Sequence, residues 1–201
     1  MNNIYAQFRK PTGVLGWLAG HAMALKNADR SEWVLQQLAP QPGEQVLEIG
    51  FGSGTDIARL VEAVAPAGMV TGIDASEVMV RMAQRRNRRA IAEGRADLRF
   101  GNVEALPFAD AEFDAVYSVN CAMFWPDLNP AFAELHRVTR LGGRAVIAVQ
   151  PMHRGASAAD SEEWLGKLDR AAQAGAWTVG AREIGPLHAP IAAVVLRKQI
   201  H

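Results

Sequence analysis

The chain has 201 residues, 49% of them apolar and 21% charged, and its 21 basic and 21 acidic side chains cancel. That length suffices for one domain with a substantial core, and the absence of net charge argues against a polyanion as the main partner. The single cysteine, Cys121, excludes an internal disulfide and fits a reducing, cytoplasmic setting. Met1 to Lys10 is polar, without the apolar core of a secretory leader, and no run of 18 apolar residues is present to span a membrane. The histidines, at 21, 136, 153, 188 and 201, are scattered, so no metal site is expected.

In chain order, residues 1–23 lack a clear period; Pro11 and Gly13 interrupt any helix holding Tyr5 and Phe8, and Val14–Met23 is a candidate short helix weakened by Gly16 and Gly20. Ala24–Ala39 reads as a helix with Trp33, Val34, Leu35 and Leu38 on its apolar stripe, stopped at Pro40 and Pro42-Gly43. Gln45–Ile49 is the first predicted strand, Thr55–Ala65 a helix, and Met69–Ile73 the second strand, ending at Asp74. Ser76 is a predicted N-cap for a helix running to Ala92, with Gly94 at its end. Asp97–Phe100 and Phe113–Val119 are the third and fourth strands. Asn129-Pro130 is read as an N-cap and first helical residue, with the helix reaching Arg140. Gly142-Gly143 turns into a fifth strand, Arg144–Val149, followed by a helix over Ala159–Ala174 with acidic residues at its start. Trp177–Ile184 and Ile191–Lys198 read as an antiparallel hairpin joined through Gly185-Pro186. Alternating strands and helices from 45 to 149 predict a parallel, doubly wound α/β sheet.

The most informative stretch is Val46-Leu47-Glu48-Ile49-Gly50-Phe51-Gly52-Ser53-Gly54. A strand leads into three alternating glycines and then a helix, which brings backbone N–H groups and a helix N-terminus against a ligand. The dinucleotide fingerprint needs a third glycine three places after its second; Asp56 stands near that place here, which disfavours a nicotinamide-dependent oxidoreductase. Asp74 lies 20 residues past Gly54, at the end of the second strand, where a carboxylate can accept from both hydroxyls of a ribose. Gly101-Asn102-Val103-Glu104-Ala105-Leu106-Pro107-Phe108 precedes Phe113-Asp114, and Arg137-Val138-Thr139-Arg140-Leu141-Gly142-Gly143 precedes the fifth strand.

With these motifs in this order, residues 45–150 resemble class I S-adenosylmethionine (SAM)-dependent methyltransferases, in particular the UbiE/COQ5-like, Methyltransf_11-type small-molecule branch. The resemblance implies a Rossmann-like doubly wound seven-stranded sheet, order 3-2-1-4-5-7-6 with strand 7 antiparallel. It implies one domain, with 1–44 as a helical cap or lid and 45–201 as the SAM-binding core. The cofactor would be SAM and the product S-adenosylhomocysteine (SAH). By resemblance, Gly50, Phe51, Gly52 and Gly54 line the methionine and ribose, Glu48 reaches toward the amino group, and Asp74 holds the ribose. Ala75 and Met79 pack against the adenine, Asn102 and Val103 lie at its edge, and Asn120 borders the methionine. The family has Asp where this chain has Asn102; an Asn oxygen still accepts from the adenine amino group.

The acceptor side is less patterned. Tyr5 and Phe8 are candidate lid aromatics, and Met123 and Trp125, after the fourth strand, are candidate substrate contacts forming an apolar wall. The family often carries His there. Candidate general bases are His21, His153 and Tyr5; a base is needed only where the nucleophile must lose a proton. The expected reaction is methyl transfer to a small aromatic or heterocyclic molecule. A non-catalytic SAM-binding protein and a methyltransferase acting on a macromolecule remain open, although Asn120-Cys121-Ala122-Met123 lacks the Asn-Pro-Pro-Tyr pattern of amino-group methylation on bases or glutamine. The run Arg81, Arg85, Arg86, Arg88, Arg89 reads as a solvated helix face rather than an RNA site, so no nucleic-acid or membrane partner is expected, and the protein would act as a monomer or homodimer.

Overall fold

The computed structural model describes residues 28–153, 155–185 and 190–199. Tyr5, Phe8, His21 and the candidate helix at 14–23 lie outside the described residues. Helix α1 (Ala28–Leu38) precedes strand β1 (Gln45–Ile49), α2 (Thr55–Ala63), β2 (Met69–Asp74), α3 (Glu77–Arg86), α4 (Arg88–Ala92), β3 (Ala96–Phe100) and β4 (Phe113–Val119). A 3-10 turn (Ala122–Phe124), α5 (Leu128–Val138), β5 (Thr139–Val149), α6 (Ala158–Ala174), β6 (Thr178–Gly185) and β7 (Ile191–Arg197) complete the chain.

The seven strands form one sheet in the order β3-β2-β1-β4-β5-β7-β6. All pairings are parallel except those of β7 with β5 and β6. The order reverses between β1 and β4, and in open α/β sheets ligands bind at the carboxyl ends of strands beside such a reversal. Register brings those ends level: Glu48 stands opposite Gly72 on one side and Tyr117 on the other.

The strand period of two divides the core. Leu47, Ile49, Val116 and Ile147 pack on one face with Phe132 and Leu135 of α5 and Leu168 of α6. Val46, Val70, Tyr117 and Val146 pack on the other with Val34 and Leu38 of α1 and Ile57 and Leu60 of α2. Each fully buried aliphatic or Phe side chain contributes about 1.5–3 kcal/mol relative to exposure.

Several element boundaries differ from the sequence reading, most of them by a residue or two. The helix after β2 is interrupted at Asn87, whose side-chain amide donates to the carbonyls of Gly54 and Ala83, each at 2.9 Å. Asp127, not Asn129, caps α5, accepting from the Asn129 N–H at 2.9 Å. Helix α5 stops at Val138, because Thr139 already pairs with Phe113 and turns its hydroxyl onto the Leu135 carbonyl. Strand β5 therefore starts at Thr139 rather than Arg144; a bulge carries Gly142, at φ +77°, and its N–H is accepted by the Lys198 carbonyl. Among the described residues no helix is long and apolar enough to cross a membrane, and no cluster of His, Cys, Asp or Glu is placed to hold a metal.

Candidate functional site

The loop from β1 to α2 is built on three left-handed glycines, Gly50 at φ +75°, Gly52 at +52° and Gly54 at +74°. Their surroundings give them different roles. A Cβ on Gly50 would lie 2.2 Å from the Cys121 sulfur, and one on Gly54 would lie 2.6 Å from the Ala83 Cβ and 2.7 Å from the Asn87 amide nitrogen. These two positions press the loop against the end of β4 and against α3. A Cβ on Gly52 would meet no atom of the described residues within 4 Å. The middle of the loop thus offers bare backbone to open space, a cradle that a side chain would fill. Helix α2 starts directly behind it, and no side chain caps its N-terminus, so the positive end of the helix faces the same region.

Asp74 ties this loop to β2. One carboxylate oxygen accepts from the Gly52 N–H at 2.9 Å and the other from the Ser76 N–H at 2.8 Å. Desolvation pushes its pKa up to about 6, against the opposing pull of those two N–H groups. Each oxygen keeps a further lone pair, which suits a ribose diol. Ser76 caps α3 as expected, accepting from the Met79 N–H at 3.4 Å.

Glu48 is buried, and its Oε2 has no hydrogen-bond partner. Burial, then the charges of Asp56 and Asp74, holds its carboxyl well above the usual range. A carboxylate in that position calls for a cationic or donor group. Asn120 sits at φ +55° on the end of β4; its Oδ1 accepts from the Gln150 N–H at 2.7 Å, while its Nδ2 is buried without a partner. An unpaired acceptor and an unpaired donor thus lie at the ends of adjacent strands.

Other expected contacts fall differently. Ala75 and Asn102 are exposed, and Asn102 closes a turn by accepting from the Glu104 N–H at 3.4 Å. Met79 and Val103 are buried, Val103 within the core beside Ile73 and Leu106. Phe51 is also a core residue: its ring lies over Gly72, where a Cβ would approach within 2.6 Å, so Phe51 serves the loop through its backbone only. Met123 and Trp125 are half-buried against the core around the 3-10 turn. The Trp125 indole N–H donates to the Cys121 sulfur at 3.2 Å, and its ring meets Phe132 edge-on at 6.2 Å. His153 is exposed and lies 3.3 Å from Asp160, at the start of α6, rather than joining the glycine-loop residues. The arginine run is exposed along α3 and α4, with Arg81 paired to Glu77 and Arg89 to Glu93.

Sequence reasoning missed a buried polar network beneath the loop. Asp56, in the first turn of α2, accepts from the Ser31 hydroxyl at 2.7 Å and from the Tyr117 hydroxyl at 3.3 Å. Burial, then the charges of Asp56 and Glu48, holds the Tyr117 phenol well above its usual range, so it remains a donor. Arg30 of α1 donates to the Gln150 side-chain oxygen at 3.0 Å. Two signals were available: Asp56 puts a carboxylate in the first turn of the helix behind the glycines, and Arg30 falls on the same helical stripe as Val34 and Leu38.

Comparison with known proteins places this geometry in context. Residues 47–147 match the family described as Methyltransferase domain. The uncharacterized methyltransferase YdaC of Bacillus subtilis (strain 168) is 31% identical over 140 residues, covering 70% of this chain and 75% of that protein. The O-methyltransferase cnsE of Penicillium expansum is 35% identical over 112 residues, 56% of this chain and 40% of that protein. Thus the chain spans three quarters of one curated relative but well under half of another. The crystal structure of a SAM-dependent methyltransferase from Aquifex aeolicus superposes with a TM-score of 0.68 at 21% identity, covering 83% of this chain and 88% of that one.

Proposed function

The chain belongs to the class I SAM-dependent methyltransferases, and from that premise we propose that its acceptor is a small aromatic or heterocyclic molecule. The carrying observation is the half-buried pair Met123 and Trp125 just past the end of β4. The indole N–H is already engaged by Cys121, so Trp125 offers apolar surface rather than a donor. Such a wall favours a flat apolar acceptor over a sugar or phosphate. When bound, SAM supplies an activated methyl group for in-line displacement by the acceptor.

The side chains that would hold it are Glu48, Asp74 and Asn120, with the Gly52 backbone approaching closely. Glu48 takes the ammonium and Asp74 the ribose hydroxyls. Because these groups are positioned by strand ends and by a loop locked at both flanking glycines, little ordering is left for binding to impose. Orienting two reactants in this way contributes up to about 7–11 kcal/mol in favourable systems. In this reading residues 1–44 supply the cap that excludes water, with Tyr5 and Phe8 as its aromatics and His21, Tyr5 or His153 as the base where the nucleophile carries a proton. The lone free Cys121 accords with work in the cytoplasm.

Incubation with methyl-labelled SAM and a panel of phenols and nitrogen heterocycles, beside bulk RNA and protein, tests the acceptor class. Label in the small-molecule fraction is expected; label confined to RNA or protein overturns the reading. Deleting residues 1–20 should preserve SAH binding and abolish turnover, and a fully active truncation would exclude the cap.

A further inference from the structure

We propose that Asn87 is a positioning residue for the cofactor: its side-chain amide sets the plane of the Gly54–Thr55 peptide and so aims the first N–H of α2. This rests on the SAM reading. Asn87 stands 33 residues from Gly54 in sequence and is 5% exposed, at the break between α3 and α4. A side-chain amide carries two N–H donors. Here the amide nitrogen donates to the Gly54 carbonyl and to the Ala83 carbonyl, each at 2.9 Å.

A purely local role would look different. An asparagine placed before a helix ordinarily turns its oxygen onto N–H groups of the first turn. Asn87 precedes α4 and makes no such cap bond. The Ala83 carbonyl already accepts from the Asn87 backbone N–H at 2.9 Å, so the end of α3 is satisfied without the side chain. What the amide adds is the bond to Gly54. Gly54 leaves room for it, because a Cβ at that position would lie 2.7 Å from the Asn87 Nδ2.

Two other anchors take hold of the loop by N–H groups: Gly50 donates to the Ile73 carbonyl at 2.7 Å and Gly52 to Asp74 at 2.9 Å. Asn87 takes hold of the far end by a carbonyl. In a trans peptide the carbonyl and the following N–H point in opposite directions. Anchoring the Gly54 carbonyl toward Asn87 therefore turns the Thr55 N–H the other way. That N–H opens α2, whose N-terminus no side chain caps, and the first N–H groups of a helix are the ones left for a ligand. Gly54 sits at φ +74° with the conformational freedom of glycine; the amide is what takes that freedom away.

Calorimetric titration with SAH, paired with amide hydrogen exchange, tests this without any acceptor. Asn87→Gly removes the amide and leaves a residue that ends helices readily; Asn87→Asp keeps the shape and removes both donors. Below its melting transition each should bind SAH about 3- to 10-fold more weakly than wild type, the range of one hydrogen bond. Without ligand, the Gly54 amide, now bonded to the Phe51 carbonyl at 2.9 Å, should exchange faster, while the Val80 amide of α3, bonded to Ser76 at 2.9 Å, stays protected. If one variant does not fold, the other decides. A lower Tm with wild-type SAH affinity overturns the proposal, as does faster exchange shared equally by Gly54 and Val80, since a residue that only ends a helix gives those results. Wild-type protein that binds no SAH refutes the cofactor reading instead, and exchange then decides the Asn87 anchor alone: faster exchange confined to Gly54 supports it, and unchanged exchange there overturns it.

Discussion

Substituting Gly52 and Gly54 by alanine, one at a time, should separate binding from folding. Both glycines have positive φ, +52° and +74°, and a left-handed L-residue costs about 1–2 kcal/mol. At Gly52 that is the whole cost, because no atom lies within 4 Å of the added Cβ. At Gly54 the Cβ would meet Ala83 Cβ at 2.6 Å, Ala83 Cα at 2.9 Å and Asn87 Nδ2 at 2.7 Å, and overpacking adds about 1–3 kcal/mol. The Asn87 amide would also be displaced from the Gly54 carbonyl that it now holds at 2.9 Å. For a chain of this size 1 kcal/mol moves Tm by about 2–4 °C. Gly52→Ala should therefore lower Tm by about 2–8 °C and Gly54→Ala by about 4–20 °C. Saturating SAH, at about 100 times its Kd, adds about 2.7 kcal/mol to wild-type stability, a rise of about 5–11 °C. Differential scanning calorimetry with and without SAH reads all of these. Gly52→Ala should lose the SAH-induced rise while remaining the more stable variant without ligand. A full SAH response in Gly52→Ala would refute the view that this loop backbone faces the cofactor, and equal stability of the two variants would refute the packing argument.

If Asp74 holds the ribose, binding needs its ionised form, and burial pushes its pKa up to about 6. SAH affinity should then be flat at alkaline pH and fall by up to about tenfold per pH unit below about 6. Glu48 acts in the same direction, and Asp74→Asn should weaken binding and flatten the slope; pH-independent wild-type affinity would exclude the role. Glu48 has a folded-state pKa above its unfolded value, chiefly through burial, so its stabilising contribution is present at low pH and lost as pH rises through the folded value. Thermal melts without ligand should show Glu48→Gln more stable than wild type at pH 8, with the gap closing in acid and with weaker SAH binding; identical melts at pH 8 would count against it. Arg144 makes a two-pronged ion pair with Glu44, both contacts at 2.7 Å, and donates to the Leu38 and Ala39 carbonyls, with 12% of its side chain exposed. Arg144→Leu removes the cation from Glu44, which keeps only the Gln41 N–H, and should cost about 1.5–3 kcal/mol in urea unfolding; a loss below about 0.5 kcal/mol would show that this junction of α1 and β5 is not structural.

Local pattern carried much of this protein into view. The apolar run of β1, the alternating glycines and the helix behind them are neighbours in sequence, and their geometry follows from backbone preferences that act over a few residues. Asp74 and the Ser76 cap were legible for the same reason. Phe51 was not: beside a glycine loop it reads as a ligand contact, and only the missing side chain of Gly72, one strand away, draws its ring into the core. The start of β5 at Thr139 likewise depends on pairing with Phe113, because a helix end and a strand start compete and the partner strand decides. The buried, unpartnered atoms of Arg30, Glu48, Asp56 and Asn120 belong wholly to the tertiary structure. Arg30 meets Gln150 across 120 residues, and whether a polar group finds a partner depends on what the assembled sheet brings beside it. Sequence alone determined the strand, the alternating glycines and the helix at residues 46–63. The packing of the helices against the sheet decided which polar groups end up enclosed, because burial turns an ordinary arginine and an ordinary glutamate into groups that water can no longer satisfy.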